Sequence, residues 1–110
     1  MNELHIEVEV AVKEPMNRVV GSLRFRDLYY ISVLAEVQNF SRAAEICEIS
    51  QPALSNQIRK VEELLDVRIF DRNSRNVSLT PVGAEIVKCG NRLLQSAQEM
   101  DDMAMRFTRQ

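Results

Sequence analysis

The rhythm of hydrophobic and polar positions changes twice along this chain. Ile6, Val8, Val10 and Val12 alternate with Glu7, Glu9 and Ala11, a period of two that predicts a strand stopped by Pro15. Gly21-Ser22 reads as the joint to the helical region. A lone strand must pair with another sheet edge or remain mobile, and the preferred reading of the segment is a dispensable leader with Met16 as an alternative start. From Asp27 onward the period is helical: Leu28, Ile31, Leu34 and Ala35 share one face, and the segment ends near Asn39. Ser41 is expected to cap a short helix holding Ala43, Ala44 and Cys47, with a break at Glu48-Ile49-Ser50. The next helix spans Gln51 to Leu65, with Pro52 in its first turn, where a missing N–H is harmless. Ile69-Phe70 and Val77-Ser78-Leu79 flank a polar turn and predict a hairpin. Thr80-Pro81 then opens a last helix, as N-cap and first residue, reaching about Arg106.

Two short helices joined by a tight turn and followed by a hairpin outline a winged helix-turn-helix. The expected fold is mainly α: a three-helix core with a short β-hairpin wing, then a long dimerisation helix. The boundaries are an N-terminal arm at 1–22, the winged domain at 23–80 and the linker helix at 81–110. At about 100° per residue, Leu54, Ile58, Val61 and Leu65 fall within roughly 60° of one another as a buried stripe. Pro52, Ser55, Asn56, Arg59 and Lys60 lie on the opposite face, small and polar first, basic one turn later. Short side chains let a helix approach base edges, while longer basic ones reach phosphates. Any solvated helix can carry such a face, so the pattern leaves both readings open. The same holds for Arg72 and Arg75 in the hairpin, which could reach a DNA backbone or a narrow minor groove.

Composition narrows the classes. With 110 residues the chain supports one compact domain, or one small domain plus an appendage, and not two independent cores. The 14 Lys+Arg against 16 Asp+Glu give a net charge of −2, which argues against indiscriminate coating of nucleic acid. No apolar run approaches the roughly 18–20 residues of a membrane span, and the N-terminus does not read as a signal peptide. Cys47 and Cys89 make no disulfide framework, so the expected compartment is the cytoplasm. An enzyme is not expected: His5 is the one histidine, and Gly21, Gly83 and Gly90 make no phosphate loop. Neither cofactor nor metal is expected. Glu62-Glu63 reads as a solvated helix end.

One stretch is far more specific than a generic helix-turn-helix. Phe40-Ser41-Arg42-Ala43-Ala44-Glu45, Ser50-Gln51-Pro52-Ala53-Leu54-Ser55, Ile58-Arg59-Lys60-Val61-Glu62 and Leu79-Thr80-Pro81-Val82-Gly83 follow in register after Arg26-Asp27-Leu28. From Leu23 to about Gln110 the chain resembles the N-terminal DNA-binding region of LysR-type transcriptional regulators. The resemblance implies sequence-specific duplex DNA binding as a dimer. It places Gln51, Pro52, Ser55 and Asn56 nearest the bases, and makes Ser41, Arg42, Arg59, Lys60, Arg72 and Thr80 backbone contacts or supports; Arg75 fits the family's wing less strictly. Asp66 stands where the family usually has Gly, and Cys47, read as a small core residue, where it usually has Leu.

After Thr80, Val82, Ile86, Cys89, Leu93, Ala97, Met100, Ala104 and Phe107 recur at spacings of three and four, an apolar seam. A helix of about 26 residues, roughly 39 Å, would overhang so small a core. The resemblance implies antiparallel packing against a second copy, and symmetry then predicts an inverted-repeat operator. The family's effector-binding domain is not in this sequence, so no small-molecule effector is expected. An excised DNA-binding fragment is the preferred account, and a naturally short antagonist the other. The rival class is a protein-interaction module that heterodimerises through the seam.

Overall fold

The computed structural model describes residues 17–73 and 76–108. The expected strand at Ile6–Val12 lies outside them, as does Arg75. Among the described residues, five helices and a hairpin follow in order: α1 (Arg18–Ser22), α2 (Phe25–Val37), α3 (Phe40–Cys47), α4 (Gln51–Leu65), β1 (Phe70–Arg72), β2 (Val77–Leu79) and α5 (Pro81–Thr108). Gly21 and Ser22, expected as a joint, instead end α1, which Asn17 caps by accepting the Val20 N–H at 2.9 Å.

Short polar side chains set where the helices begin. The cap of α3 is Asn39 and not Ser41: its extended backbone lets Oδ1 accept the Arg42 N–H at 2.8 Å. Ser41 lies inside the first turn, which leaves its hydroxyl for another partner. Ser50 caps α4 through the Ala53 N–H at 3.2 Å, with Pro52 in the first turn. Thr80 caps α5 through the Gly83 N–H at 2.9 Å. The helix ends share one device. Gln38, Glu48 and Asp66 close α2, α3 and α4 in the left-handed region, with φ of 56°, 58° and 57°. Each reverses the chain within a residue and directs the next element back across the last.

The core lies where α2, α3 and α4 meet the base of the hairpin. Ile31 and Leu34 from α2, Ala43 and Ala44 from α3, and Leu54, Ile58 and Val61 from α4 are buried with Ile69, Phe70 and Val77. The two alanines let α3 approach its neighbours closely. Leu65, the fourth member of the expected stripe, is half-buried. The strands pair antiparallel, with Phe70 opposite Leu79, Asp71 opposite Ser78 and Arg72 opposite Val77. Cys47 packs half-buried at the core's edge, as the sequence suggested.

The first half of α5 lies along α2, and glycines allow the approach. Gly90 rests against the Leu28 side chain, where a Cβ would sit 3.4 Å from Cδ2. At Gly83 a Cβ would come within 2.1 Å of the Ile69 carbonyl oxygen. Beyond Ala97 every described residue of α5 is exposed. No helix among the described residues is long and apolar enough to cross a membrane.

Two substitutions with opposite outcomes test this account by urea denaturation. Gly83→Ala forces backbone apart and is expected to cost about 1–3 kcal/mol. Asp66→Gly relieves a left-handed non-glycine residue and is expected to add about 0.5–1 kcal/mol.

Candidate nucleic-acid interface

The N-terminal half of α4 presents its outer face beside the start of α3. Gln51 and Pro52 are exposed, and Ser55 and Asn56 are half-buried one turn on. The buried stripe of Leu54, Ile58 and Val61 fixes which side of α4 meets the core, and so turns these residues outward. Backbone N–H groups at the first turn add partial positive charge at the same end.

Two side-chain hydrogen bonds order this face. The Ser41 hydroxyl donates to Gln51 Oε1 at 2.8 Å, joining the two helices of the motif. The bond uses one acceptor site of the amide, leaving its NH2 and a second lone pair for a base edge. Arg59 Nη2 donates to Asn56 Oδ1 at 2.5 Å, one turn along α4. Arg42, Arg59 and Lys60 are exposed. The last two diverge. Arg59 lines a cleft with Glu62, Arg68 and Arg72 on the wing side, while Lys60 borders a cleft with Ser22, Arg24 and Gln57 on the α1 side.

Two expected backbone contacts are committed to the fold. Thr80 donates its hydroxyl to the Arg68 carbonyl at 2.5 Å and accepts the Gly83 N–H, so it serves as a support. Arg72 is clamped between Glu62 and the Phe40 ring: Nη2 lies 3.2 Å from Glu62 Oε1, and the guanidinium carbon 5.4 Å from the ring centroid. The clamp holds the wing against α3 and α4 and presents the remaining guanidinium N–H groups at the surface.

Glu62 overturns the expectation of a solvated helix end. Only 6% of it is exposed. Its Oε2 accepts the backbone N–H groups of Ile69 at 2.9 Å and Phe70 at 3.2 Å, and Oε1 holds Arg72. Sequence arithmetic held a clue, since Glu62 falls about 40° beyond Ile58 at the edge of the buried stripe. Glu63, its neighbour, is exposed.

The seam on α5 divides. Gly83 and Gly90 are buried against the chain's own domain, with Ile86 and Val87 half-buried on its core. Val82, Cys89, Leu93, Met100, Ala104 and Phe107 are exposed, and Ala97 is half-buried.

Replacing Glu62 by Ala leaves the Ile69 and Phe70 N–H groups buried without an acceptor. Urea denaturation is expected to report a loss of about 2–4 kcal/mol. The cysteines offer a separate check. Burial pushes the Cys47 thiol up from its ordinary value, so its thiolate is scarcer at neutral pH and gains only as pH rises. Timed maleimide labelling at pH 7 with mass spectrometry is expected to modify exposed Cys89 well before Cys47.

Residues 25–84 match the family model described as "Bacterial regulatory helix-turn-helix protein, lysR family". A hydrogen peroxide-inducible genes activator of Pectobacterium carotovorum subsp. carotovorum is 42% identical over 82 residues, covering 74% of this chain and 27% of that protein. The chain thus spans about a quarter of the length of such curated relatives. Among solved structures, a full-length OxyR from Pseudomonas aeruginosa aligns with a TM-score of 0.73 at 43% identity, over 76% of this chain and 28% of its own. The BenM DNA-binding domain in complex with benA site 1 DNA aligns with a TM-score of 0.75 at 35% identity, over 78% of this chain and 97% of that one. The shared architecture is a winged helix-turn-helix DNA-binding domain followed by a long helix. With more than half of its length inside the family model, this chain belongs to the LysR family of bacterial helix-turn-helix regulators.

Proposed function

We propose that this chain is the operator-reading part of a transcription regulator, acting on duplex DNA as a homodimer. The observation that carries the reading is the outward, capped N-terminus of α4, where Ser41 holds Gln51 ready for a base edge. Gln51, Pro52 and Ser55 would lie in the major groove, with Asn56 beside them. Gln51 offers its amide to a base, adenine being the usual bidentate partner. Ser41, Arg42, Arg59 and Lys60 would contact phosphates on either side of the groove, which fixes register without reading sequence. Arg72 and Thr80 support the wing in this reading, and Arg75 is its further backbone contact.

Dimerisation follows from α5. Its exposed apolar side chains need a cover that the described residues of the chain's own domain do not supply. A second copy, packed antiparallel along α5, would cover them. Two α4 helices related by a two-fold axis would then meet an inverted repeat. The likeness to relatives solved in complex with DNA supports the DNA-binding part of this scheme.

Selection from random duplex DNA, run beside a Gln51→Ala control, tests it. The expected result is an inverted repeat with the wild-type chain, and binding to it about 5–150-fold weaker with Gln51→Ala. Four cationic contacts per protomer, Arg42, Arg59, Lys60 and Arg75, predict a log–log salt slope of about −7 for the dimer. Salt-insensitive binding, or a motif unchanged by Gln51→Ala, would overturn the assignment.

A further inference from the structure

The segment ahead of the matched family region builds an apolar wall beside α5. Val20 on α1 is 66% exposed, Phe25 at the start of α2 57% and Leu93 on α5 44%. They surround a cavity of about 340 Å³ that Val19, Leu23, Arg24 and Leu28 complete. The wall is well anchored. Asn17 caps α1, the Leu23 N–H donates to the Val19 carbonyl at 2.8 Å, and the Arg18 guanidinium donates to the Leu64 carbonyl at the end of α4. Three large apolar side chains around one mouth form a patch of the kind that a partner covers.

The pattern on α5 says which partner. Turned back on itself about Gln95, the seam sets Val82 against Phe107, Ile86 against Ala104, Cys89 against Met100 and Leu93 against Ala97. Within a residue of the same centre, Glu85 falls opposite Arg106 and Arg92 opposite Glu99. These four lie about 80–140° round the helix from Leu93 in one sense, on a single flank. In an antiparallel pair about a two-fold axis, a flank meets the same flank of its mate, so both pairs join opposite charges. The apolar and charged positions therefore agree on one register.

That register also places the wall. Gly83, Val87 and Gly90 lie about 60–120° from Leu93 in the other sense, on the flank that meets the chain's own domain. Ala97 and Asp101 project on this flank from the overhanging half of α5. We propose that α1 and Phe25 receive the second copy's α5 at the turn carrying the partner's Ala97, Met100 and Asp101. Val20, Phe25 and Leu93 would bury the apolar pair, and Arg24 on the rim would face the partner's Asp101. The residues ahead of the family match thus become part of the dimer contact. This inference rests on the dimer reading above and adds a surface to it.

Sedimentation of the full 110-residue chain over a dilution series separates the two. Leu93→Asp strikes the seam common to both and is expected to give monomers. Val20→Asp strikes only the wall, at a position open enough to leave the fold intact by circular dichroism. It is expected to weaken dimerisation about ten-fold. Arg24→Glu is expected to weaken it too, and Asp101→Arg in the same chain to restore it. Wild-type dimers lost with Leu93→Asp but unmoved by Val20→Asp would overturn the wall and leave the dimer. Absence of rescue by Asp101→Arg would likewise overturn the placement. A wild-type chain that stays monomeric at the highest concentration would overturn both.

Discussion

A single buried carboxylate decides where the wing sits relative to the helix that would read DNA. Glu62 leaves the inner edge of α4 and accepts from the backbone of Ile69 and Phe70, the residues that lead into β1. Desolvating a carboxylate is costly unless hydrogen bonds replace its water, and here two N–H groups and the Arg72 guanidinium do so. The bonds are directional where apolar packing is not. Phe70 could fill its pocket from several strand positions, but only one lets both N–H groups reach the same oxygen. Arg72 then extends the connection across Phe40 to α3. Wing, turn and α4 are held by one group of three side chains.

The other determinant is how the chain turns between helices. Glu48 and Asp66 both adopt the left-handed conformation, bracketing α4 at either end. Asp66 does so without being glycine, so the bend comes at some local cost. The hydrogen bonds just beyond Asp66 explain why the geometry survives. Val67 donates to the Glu62 carbonyl at 3.1 Å, and two residues later Ile69 reaches the Glu62 carboxylate. The same residue thus closes the helix with its backbone and starts the wing with its side chain.

Much of this was readable from the sequence, and the parts that were not have a common cause. The stripe of Leu54, Ile58 and Val61, the proline in the first turn of α4 and the Thr80-Pro81 start of α5 are local signals, and the structure follows them. The outward face bearing Gln51, Pro52 and Ser55 follows from that stripe. Contacts between distant segments were hidden. Ser41 looked like a cap because its type suits one, yet Asn39 is the residue with the extended backbone. Glu62 looked solvated because a glutamate pair at a helix end usually is. Its burial depends on a strand eight residues away folding over it. Arg72 likewise read as a free cation until Glu62 and Phe40 were in place. The α5 seam was seen whole, but α2 takes one edge of it.

These placements also resolve how a chain with a net charge of −2 can suit a polyanion. A nearby phosphate feels local charge, since exposed charges beyond about 8–10 Å are largely screened at physiological salt. Glu62, the acid built into α4's inner edge, is neutralised by Arg72 and turned from the outer face. Glu99, Asp101 and Asp102 lie on the overhanging half of α5, away from the start of α4. At that start stands Arg42 with the N–H groups of the helix's first turn, and Arg59 and Lys60 follow one turn beyond Ser55 and Asn56. The buried acid Glu62 thus completes the wing and leaves the outer face of α4 free of its charge. In the proposed reading, specificity would gain from this arrangement, because weak overall attraction limits binding to wrong sequences while leaving the aligned contacts intact.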